Sequence, residues 1–228
     1  MQNELLEYLS TFLTQPRLKL FDQVLEKRTN YITVVLEDIF QSQNASAVLR
    51  TCDCFGIQNI HIIENRNSFK ISKEVALGAS KWLTINKYNQ ADNNSLSAIR
   101  ALKKKGYRIV ATTPHKNDQS LTDFDLTKGK TALVFGSELP GISETIMNEA
   151  DEFLKIPMHG FTESFNISVS AAIVLHQLTT LLREQPDINW SLKENEKNEI
   201  KLQWIKNTIK RSNLLEERFW SEKKQAGN

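Results

Sequence analysis

The segment TALVFGSELPG, Thr131–Gly141, joins an apolar run directly to a tight loop. Thr131–Phe135 is short and contains few polar groups, which is typical of a buried strand. Gly136, Pro140 and Gly141 then favour a turn whose backbone groups remain free to contact a ligand. A purely structural turn explains the same pattern equally well. The segment therefore predicts a strand that ends in a rigid loop, and it leaves the role of that loop open.

Further strand-like runs lie on both sides of this segment, and stretches with helical spacing separate them. The runs are Tyr31–Leu36, Asn59–Glu64, Tyr107–Thr112 and Glu152–Ile156. The predicted helices are Ala45–Phe55, Leu96–Lys105, Ser143–Asn148 and Ile167–Leu182. Alternation of this kind predicts an α/β fold with a mainly parallel sheet flanked by helices.

Helical patterns continue beyond both ends of this α/β region. Residues 2–28 repeat apolar groups at helical spacing, and Pro16 divides them into two helices. The C-terminal part of the chain begins with a polar stretch and then shows a basic amphipathic helical pattern. We expect a helical arm at residues 1–30, an α/β domain at residues 31–182 and a second helical arm at residues 183–228.

The composition limits the class of protein. With 228 residues, of which 40% are hydrophobic and 25% are charged, the chain suits one globular domain with short appendages. Its net charge of +2 does not by itself indicate a polyanionic partner. The N-terminus lacks a basic leader, and no apolar run approaches the roughly 20 residues that span a bilayer, so we expect a cytoplasmic protein. Cys52 and Cys54 point in different directions on a helix, so they predict neither a disulfide nor a metal site.

Spacing argues against phosphate-cradling and metal sites. Gly129-Lys130-Thr131 resembles the end of a P-loop, but Phe124 stands where the first glycine should be. No G-x-G-x-x-G sequence follows any predicted strand either. The histidines have no metal-ligand spacing and no obvious serine or cysteine partner. These are His61, His115, His159 and His176.

Rigid loops follow two more of the predicted strands. Thr112-Thr113-Pro114 ends one strand, and Pro157–Gly160 ends another. Because open parallel sheets bind ligands beyond the carboxyl ends of their strands, these loops and the Gly136–Gly141 loop predict a small-ligand crevice on one rim.

Polar residues near two helix starts have two interpretations. Asn44 and Arg50 are six residues apart, about 600° of helical rotation, and therefore lie on different faces. Asn44 is either a helix N-cap or a functional amide, and Arg50 is either a solvated charge or a ligand-binding group. Ser164 and Asn166 precede the long apolar helix and are likewise either caps or site residues.

Three ordered segments together resemble the motifs of the SpoU family, a group of knotted RNA ribose methyltransferases. The segments are Asn44–Gly56, Phe135–Gly141 and Ile156–Ser170. The resemblance covers about residues 31–182 and implies a C-terminal trefoil knot, which periodicity would not predict because knots are rare. It also implies that S-adenosyl-L-methionine is the cofactor, that no metal is needed and that the active site is completed across a homodimer.

The resemblance assigns site residues by their position in the motifs. Cofactor contacts are expected at Thr112, Gly136, Ile156, Met158 and Phe165. The polar active-site positions are Asn44, Arg50, Glu138, Ser164 and Asn166. Glu138, Ser164 and Asn166 are expected to hold Arg50 and the ribose by hydrogen bonds, with Asn44 in support. Arg50 is expected to be essential, but its guanidinium resists deprotonation at neutral pH, so its role in proton transfer stays open.

The arms and the basic side chains bear on the choice of RNA. Basic residues cluster at Arg66, Lys70, Lys73 and Lys81, at Arg100, Lys103, Lys104, Lys105 and Arg108, and on the C-terminal helix. Each cluster is either a solvated face or a phosphate-binding surface. The layout of the arms resembles family members that act on tRNA, which implies methylation of the guanosine-18 ribose, although Gln43 stands where those members often have histidine. A ribosomal-RNA ribose methyltransferase and a non-catalytic RNA-binding knot protein are the alternatives.

Overall fold

A seven-stranded parallel sheet lies at the centre of the computed structural model, which describes residues 2–113, 119–138 and 140–226. The strands among these residues are β1 (Ile32–Glu37), β2 (Asn59–Ile63), β3 (Thr84–Tyr88), β4 (Arg108–Thr112), β5 (Gln119–Ser120), β6 (Thr131–Phe135) and β7 (Glu152–Lys155). Their order is β3-β2-β1-β6-β4-β7-β5, and every neighbouring pair is parallel. The predicted α/β fold with a mainly parallel sheet is confirmed.

Burial explains which strands the sequence predicts. Every residue of β1 and β6, which pair at the middle of the sheet, is buried, so both strands are strongly apolar. The strand β3 lies at the edge, is only partly buried and reads TINKY. The two-residue strand β5 forms the other edge. Neither edge strand was predicted, because neither has the apolar run of a strand that is buried on both faces.

Helices connect and flank the strands. The described helices are α1 (Gln2–Ser10), α2 (Gln15–Leu25), α3 (Ser42–Phe55), α4 (Lys73–Ala76), α5 (Asn94–Lys104), α6 (Glu144–Glu149), α7 (Ile167–Glu184), α8 (Glu194–Thr208) and α9 (Ser212–Ala226). The N-cap of α3 is Gln41, so the interpretation of Asn44 as an N-cap is wrong. Asn166 does cap α7, since its side chain accepts a hydrogen bond from the backbone N–H of Ser168.

The chain divides into two compact units, residues 29–190 and residues 1–28 with 191–228. In the first unit, alternate residues of β1 pack in different cores, because successive side chains of a strand point to opposite faces of the sheet. Val34 packs in a core with residues of α3 and α7, whereas Val35 packs in a core with residues of α5. The sheet is therefore covered by helices on both faces.

The second unit is held by an apolar core and by ion pairs. The Phe21 and Trp204 rings meet edge to face at 5.6 Å. Lys201 lies 2.5 Å from Asp22, and Lys206 lies 2.7 Å from Glu216. These two amines of the predicted basic helix are therefore engaged within the protein.

Within the described ranges, no helix is both long and apolar enough to cross a membrane. Cys52 is buried and Cys54 is exposed, and neither forms a disulfide. The same part of the chain contains no group of three or more His, Cys, Asp or Glu side chains arranged to hold a metal ion.

Candidate active site

A cavity of about 500 Å³ lies where β4, β6 and β7 end. Thr112 is the last residue of β4, Gly136 follows β6, and Ile156 follows β7. All five predicted cofactor-contact residues line this cavity, together with three of the predicted polar residues, Glu138, Ser164 and Asn166. We call it the strand-end cavity. Its position beyond the carboxyl ends of neighbouring parallel strands is where such sheets bind ligands.

The wall of the strand-end cavity at Gly136–Gly141 depends on close backbone approach. Ser137 and Gly141 exchange two backbone hydrogen bonds, each 3.0 Å long. A Cβ atom on Gly136 would lie 2.5 Å from the backbone nitrogen of Ile142 and still closer to Gly141. Gly141 has a φ of 69°, which side chains disfavour. Glycine is therefore required at both positions, and the loop presents backbone to the cavity.

An amide–carboxylate network joins α3, the Gly136–Gly141 loop and the start of α7. Asn44 is nearly buried, and its Nδ2 donates to Glu138 Oε1 at 2.7 Å and to Gln41 Oε1 at 3.1 Å. Asn166 Nδ2 donates to Asn44 Oδ1 at 3.1 Å. Asn166 Oδ1 accepts from the N–H and hydroxyl of Ser168, so both ends of its amide are engaged. The network fixes Glu138 and Asn166 against the cavity that they line.

Arg50 stands apart from this network. Its side chain is exposed, it does not line the strand-end cavity, and within the described ranges no residue forms a hydrogen bond or ion pair with it. The hydrogen bonds that were expected between Arg50 and Glu138, Ser164 or Asn166 are absent within one chain. Asn44, in the same helix, reaches the network because it lies on a different face.

The residues of the strand-end cavity fit a nucleoside-sized cofactor such as S-adenosylmethionine. Its volume falls within the range of about 300–1,000 Å³ typical of small-molecule sites. Ile156, Met158 and half-exposed Phe165 give it apolar surface, while the Gly136–Gly141 loop gives it backbone donors and acceptors. Thr112 Oγ1 donates to the carbonyl of Val134 at 2.9 Å and so holds the ends of β4 and β6 together.

Several residues of the site carry no sequence signal of their own. The cavity is also lined by Ser137, Leu154 and Val174, and Asn44 is held by Gln41. Ser137 and Leu154 could have been found by listing the residues at strand ends. Gln41 is the N-cap of α3 and lies three residues before Asn44, so helical spacing could have paired the two once the start of the helix was placed.

The described histidines do not line the strand-end cavity. His61 is buried in β2 with its Nδ1 3.0 Å from the Tyr88 hydroxyl. Burial, assisted by the positive charge of Lys105, lowers the pKa of His61 to about 4. His159 and His176 are exposed, and His115 lies outside the described residues.

The predicted basic clusters differ in how accessible they are. Arg66, Lys70 and Lys73 are exposed on the segment that follows β2. Arg108 is 10% exposed, lies 2.5 Å from Glu152 and packs over the Phe124 ring. The prediction that Arg108 belongs to a solvated or phosphate-binding surface is wrong, because that guanidinium is already paired and nearly buried.

Comparison with known proteins places the chain in a family. The sequence pattern of the SpoU rRNA Methylase family matches residues 31–176, which include the whole strand-end cavity. This chain belongs to the SpoU methylase family. A tRNA (guanosine(18)-2'-O)-methyltransferase of Borreliella burgdorferi is 42% identical over 208 residues, or 91% of this chain and 93% of the relative.

Two further SpoU proteins extend the comparison. A tRNA (guanosine(18)-2'-O)-methyltransferase of Thermus thermophilus is 34% identical over 164 residues, covering 72% of this chain and 82% of the relative. The crystal structure of the TrmH/SpoU tRNA modifying enzyme of A. aeolicus is similar with a TM-score of 0.75 at 32% identity, covering 86% of this chain and 98% of that one. The similarity to the A. aeolicus enzyme and to the Borreliella relative therefore extends beyond the family region into the arms.

Proposed function

We propose that this protein is an S-adenosylmethionine-dependent methyltransferase that acts on tRNA and methylates the ribose 2′-oxygen of guanosine 18. The choice of tRNA as substrate rests on the 42% identity to the Borreliella relative. That similarity spans 91% of the chain, so it includes the arms as well as the family region. The choice of methyl transfer as the reaction rests on the strand-end cavity. In this cavity an apolar, backbone-lined pocket lies next to the Asn44–Glu138–Asn166 network.

The cofactor would supply an electrophilic sulfonium methyl. Transfer of that methyl to the ribose oxygen would leave a neutral thioether and would release the hydroxyl proton to water. We assign Thr112, Gly136, Ile156, Met158 and Phe165 to cofactor binding, largely through backbone and apolar contact. Such a transfer requires in-line placement of the oxygen rather than a metal ion.

The polar residues are proposed to place the acceptor ribose. Glu138 and Asn166 are held by Asn44, so their orientation is set before RNA binds. Ser164 lines the same cavity and supplies a hydroxyl. Arg50 is proposed to bind the phosphate or ribose as a cation, since a guanidinium stays protonated at neutral pH. Polar groups whose orientation is fixed in advance, as for Glu138 and Asn166, lower the barrier without further rearrangement.

The free state of Arg50 supports a homodimeric site. A residue that forms no hydrogen bond or ion pair with the described part of its own chain is available to a site on another protomer. Large apolar side chains are also exposed between Met158 and Ser170, which both line the strand-end cavity, with Phe161 fully exposed and Val169 44% exposed. Exposed apolar patches of this kind are typical of interfaces. We therefore propose a homodimer, with a trefoil knot in the C-terminal part of the sheet and activity on tRNA in the cytoplasm.

The experiment that tests the function incubates purified protein and methyl-labelled S-adenosylmethionine with unmodified tRNA or with ribosomal RNA. The methylated ribose is then mapped. We expect 2′-O-methylguanosine at position 18 of tRNA. Label in ribosomal RNA alone would support the alternative of a ribosomal-RNA ribose methyltransferase, the substrate that the family description names. No label in either RNA would favour a non-catalytic RNA-binding protein.

A further inference from the structure

A second groove adjoins the strand-end cavity and shares a wall with it. The groove has a volume of about 880 Å³, and Ser137, Glu138 and Gly141 line both spaces. Its other walls come from the loops that follow β1, β2 and β3, so it lies at the same edge of the sheet. A group bound in this groove therefore lies directly beside Glu138.

The carboxylates at the floor of the second groove already accept hydrogen bonds from neighbouring loops. Asp38, with a φ of 51°, accepts hydrogen bonds from the backbone N–H groups of Asn65 and Arg66 at 2.7 and 2.8 Å. The buried carboxylate of Glu37 accepts from the Ser143 hydroxyl at 2.6 Å and from the Ser143 N–H at 2.9 Å. These carboxylates are committed to the protein, so they hold the loops in place rather than offering binding groups.

Three other side chains that line the second groove are uncommitted. Phe40 is 75% exposed, and Arg66 and Asp92 are exposed. In the part of the chain that the structure describes, their side chains form no hydrogen bond, ion pair or ring contact. The groove therefore combines an aromatic face, a planar cation and a carboxylate, each free to meet a ligand.

We infer that the second groove binds the guanine base of the acceptor nucleotide, with Phe40 stacking on the ring and with Asp92 and Arg66 binding its two edges. The inference rests on the proposed function, since the ribose at Glu138 determines which neighbouring space receives its base. Guanine has O6 and N7 as acceptors on one edge, which an arginine binds with paired donors. Its N1–H and 2-amino groups are donors on the other edge, which a carboxylate accepts. Unstacked RNA bases are commonly recognised by such stacking and edge contacts.

The complementarity also explains a preference for guanine. Adenine presents an amino group where guanine has O6, and it lacks both the N1–H and the 2-amino group. It would therefore keep only the N7 acceptor for Arg66, set its amino donor against the second N–H of the guanidinium, and leave Asp92 without its paired donors. Polar groups that a bound base covers without pairing are costly, and this cost gives large discrimination. Asp92 is accordingly proposed as a specificity-determining residue and Phe40 as a stacking residue.

The test compares Asp92→Asn with the unchanged protein on two tRNA transcripts, one with guanosine and one with inosine at position 18. Inosine keeps N1–H but lacks the 2-amino group. We expect the unchanged protein to prefer guanosine, and we expect Asp92→Asn to lower kcat/KM for guanosine by roughly 10-fold or more. The ratio of kcat/KM for the guanosine transcript to kcat/KM for the inosine transcript should fall towards one, because the amide of the variant no longer offers the two acceptor oxygens of the carboxylate. S-adenosylmethionine affinity should not change.

Two results separate this inference from the proposed function. Suppose that the unchanged protein methylates guanosine 18 and that Asp92→Asn shows the same guanosine-to-inosine ratio of kcat/KM as the unchanged protein. The base-binding role of Asp92 is then overturned, while the proposed function stands. If the unchanged protein methylates neither transcript, the proposed function itself fails. Asp187→Asn is the matched control, since Asp187 is exposed but lines neither space, and it should keep both the rate and the ratio.

Phe40 gives an independent measurement of the same inference. Phe40→Ala should raise KM for tRNA roughly 10-fold, the usual scale for losing one base–aromatic stack. Phe40→Trp should restore it, because a larger aromatic face still stacks. Equal KM values for Phe40→Ala and the unchanged protein, or failure of Phe40→Trp to rescue, would contradict stacking.

Discussion

The strand-end cavity and the second groove lie on opposite sides of one loop, yet they are built differently. The strand-end cavity is formed by strand ends, glycine backbone and apolar side chains, and its polar groups are tied together through Asn44. The second groove is formed by loops whose floor is bonded to itself and whose free side chains face outward. If both spaces bind the proposed ligands, the first would recognise its ligand mainly by backbone shape and the second mainly by side-chain chemistry. Substitutions should therefore affect the two spaces in different ways.

The largest expected effect is at Gly136. A methyl group at this position would collide with the backbone of Gly141 and Ile142, so Gly136→Ala should deform the loop and abolish S-adenosylmethionine binding, as measured by calorimetry. Gly160→Ala is the matched control, since a Cβ there meets its nearest neighbour at 4.0 Å and affinity should persist. Full cofactor affinity in Gly136→Ala would show that the loop tolerates a side chain and that backbone shape does not define this space.

The contrast between the two spaces also explains how far the sequence could predict them. The strand-end cavity was predicted because Thr131–Phe135 is a fully buried strand followed at once by two glycines and a proline, and because three motifs resemble a known family. The second groove was not predicted. Phe40, Arg66 and Asp92 come from three separate loops, and no spacing in the chain relates them. Only the parallel sheet order, with β1, β2 and β3 adjacent, brings those loops together.

The same reasoning applies to single residues. The edge strand β3 was missed because its residues are half exposed and polar. Arg108 was misjudged because its sequence neighbours are exposed lysines, whereas the fold pairs it with Glu152. Composition can indicate that a charge exists, but whether that charge is free depends on contacts between distant parts of the chain.

Arg50 gives the next largest effect. Arg50→Ala should almost abolish methylation of tRNA while leaving folding and cofactor affinity unchanged, because the side chain is exposed and forms no hydrogen bond, ion pair or ring contact with the described residues. Methyl transfer from labelled cofactor, circular dichroism and calorimetry measure the three quantities. Unchanged methylation would overturn the assignment of Arg50 to the active site.

Mixed dimers sharpen the prediction for Arg50. If one protomer's Arg50 serves the other's strand-end cavity, a dimer of Arg50→Ala and Gly136→Ala protomers contains one site in which both residues are intact. Co-expression of the two inactive variants should then restore activity. No restoration in purified mixed dimers would place Arg50 at the site of its own chain and contradict the shared site.

Asn44 should give a smaller effect because it acts through Glu138 and Asn166. Asn44→Ala removes the amide that links them, so Glu138 loses the hydrogen bond that orients it, while Asn166 keeps its bonds from Ser168. We expect kcat to fall roughly 10²-fold, the scale of a misplaced reacting group. Affinity for S-adenosylmethionine should change little, since Asn44 does not line the strand-end cavity. The matched control is Thr51→Ala, on the same helix, where the hydroxyl bonds to the Ala47 carbonyl and to no other described residue. A fall in cofactor affinity as large as the fall in kcat would contradict a positioning role.

The smallest effect on activity is expected at His61, which lines neither space and so separates stability from function. The pKa of His61 is about 4 in the folded protein and 6.5 in the unfolded chain. Between these values the unfolded state binds the extra proton, so the free energy of unfolding should decrease as pH falls from 6.5 to 4, by roughly 3 kcal/mol in total.

His61→Gln keeps a hydrogen-bonding group for Tyr88 but cannot take up the proton, so urea unfolding should show a shallower pH dependence in this window. Cofactor and tRNA parameters at pH 7 should remain unchanged, because His61 is neutral there in the folded protein and lines neither space. An unfolding free energy with the same pH dependence in both proteins would mean that His61 is protonated in the fold as readily as in water, and that its burial beside Tyr88 does not suppress its charge.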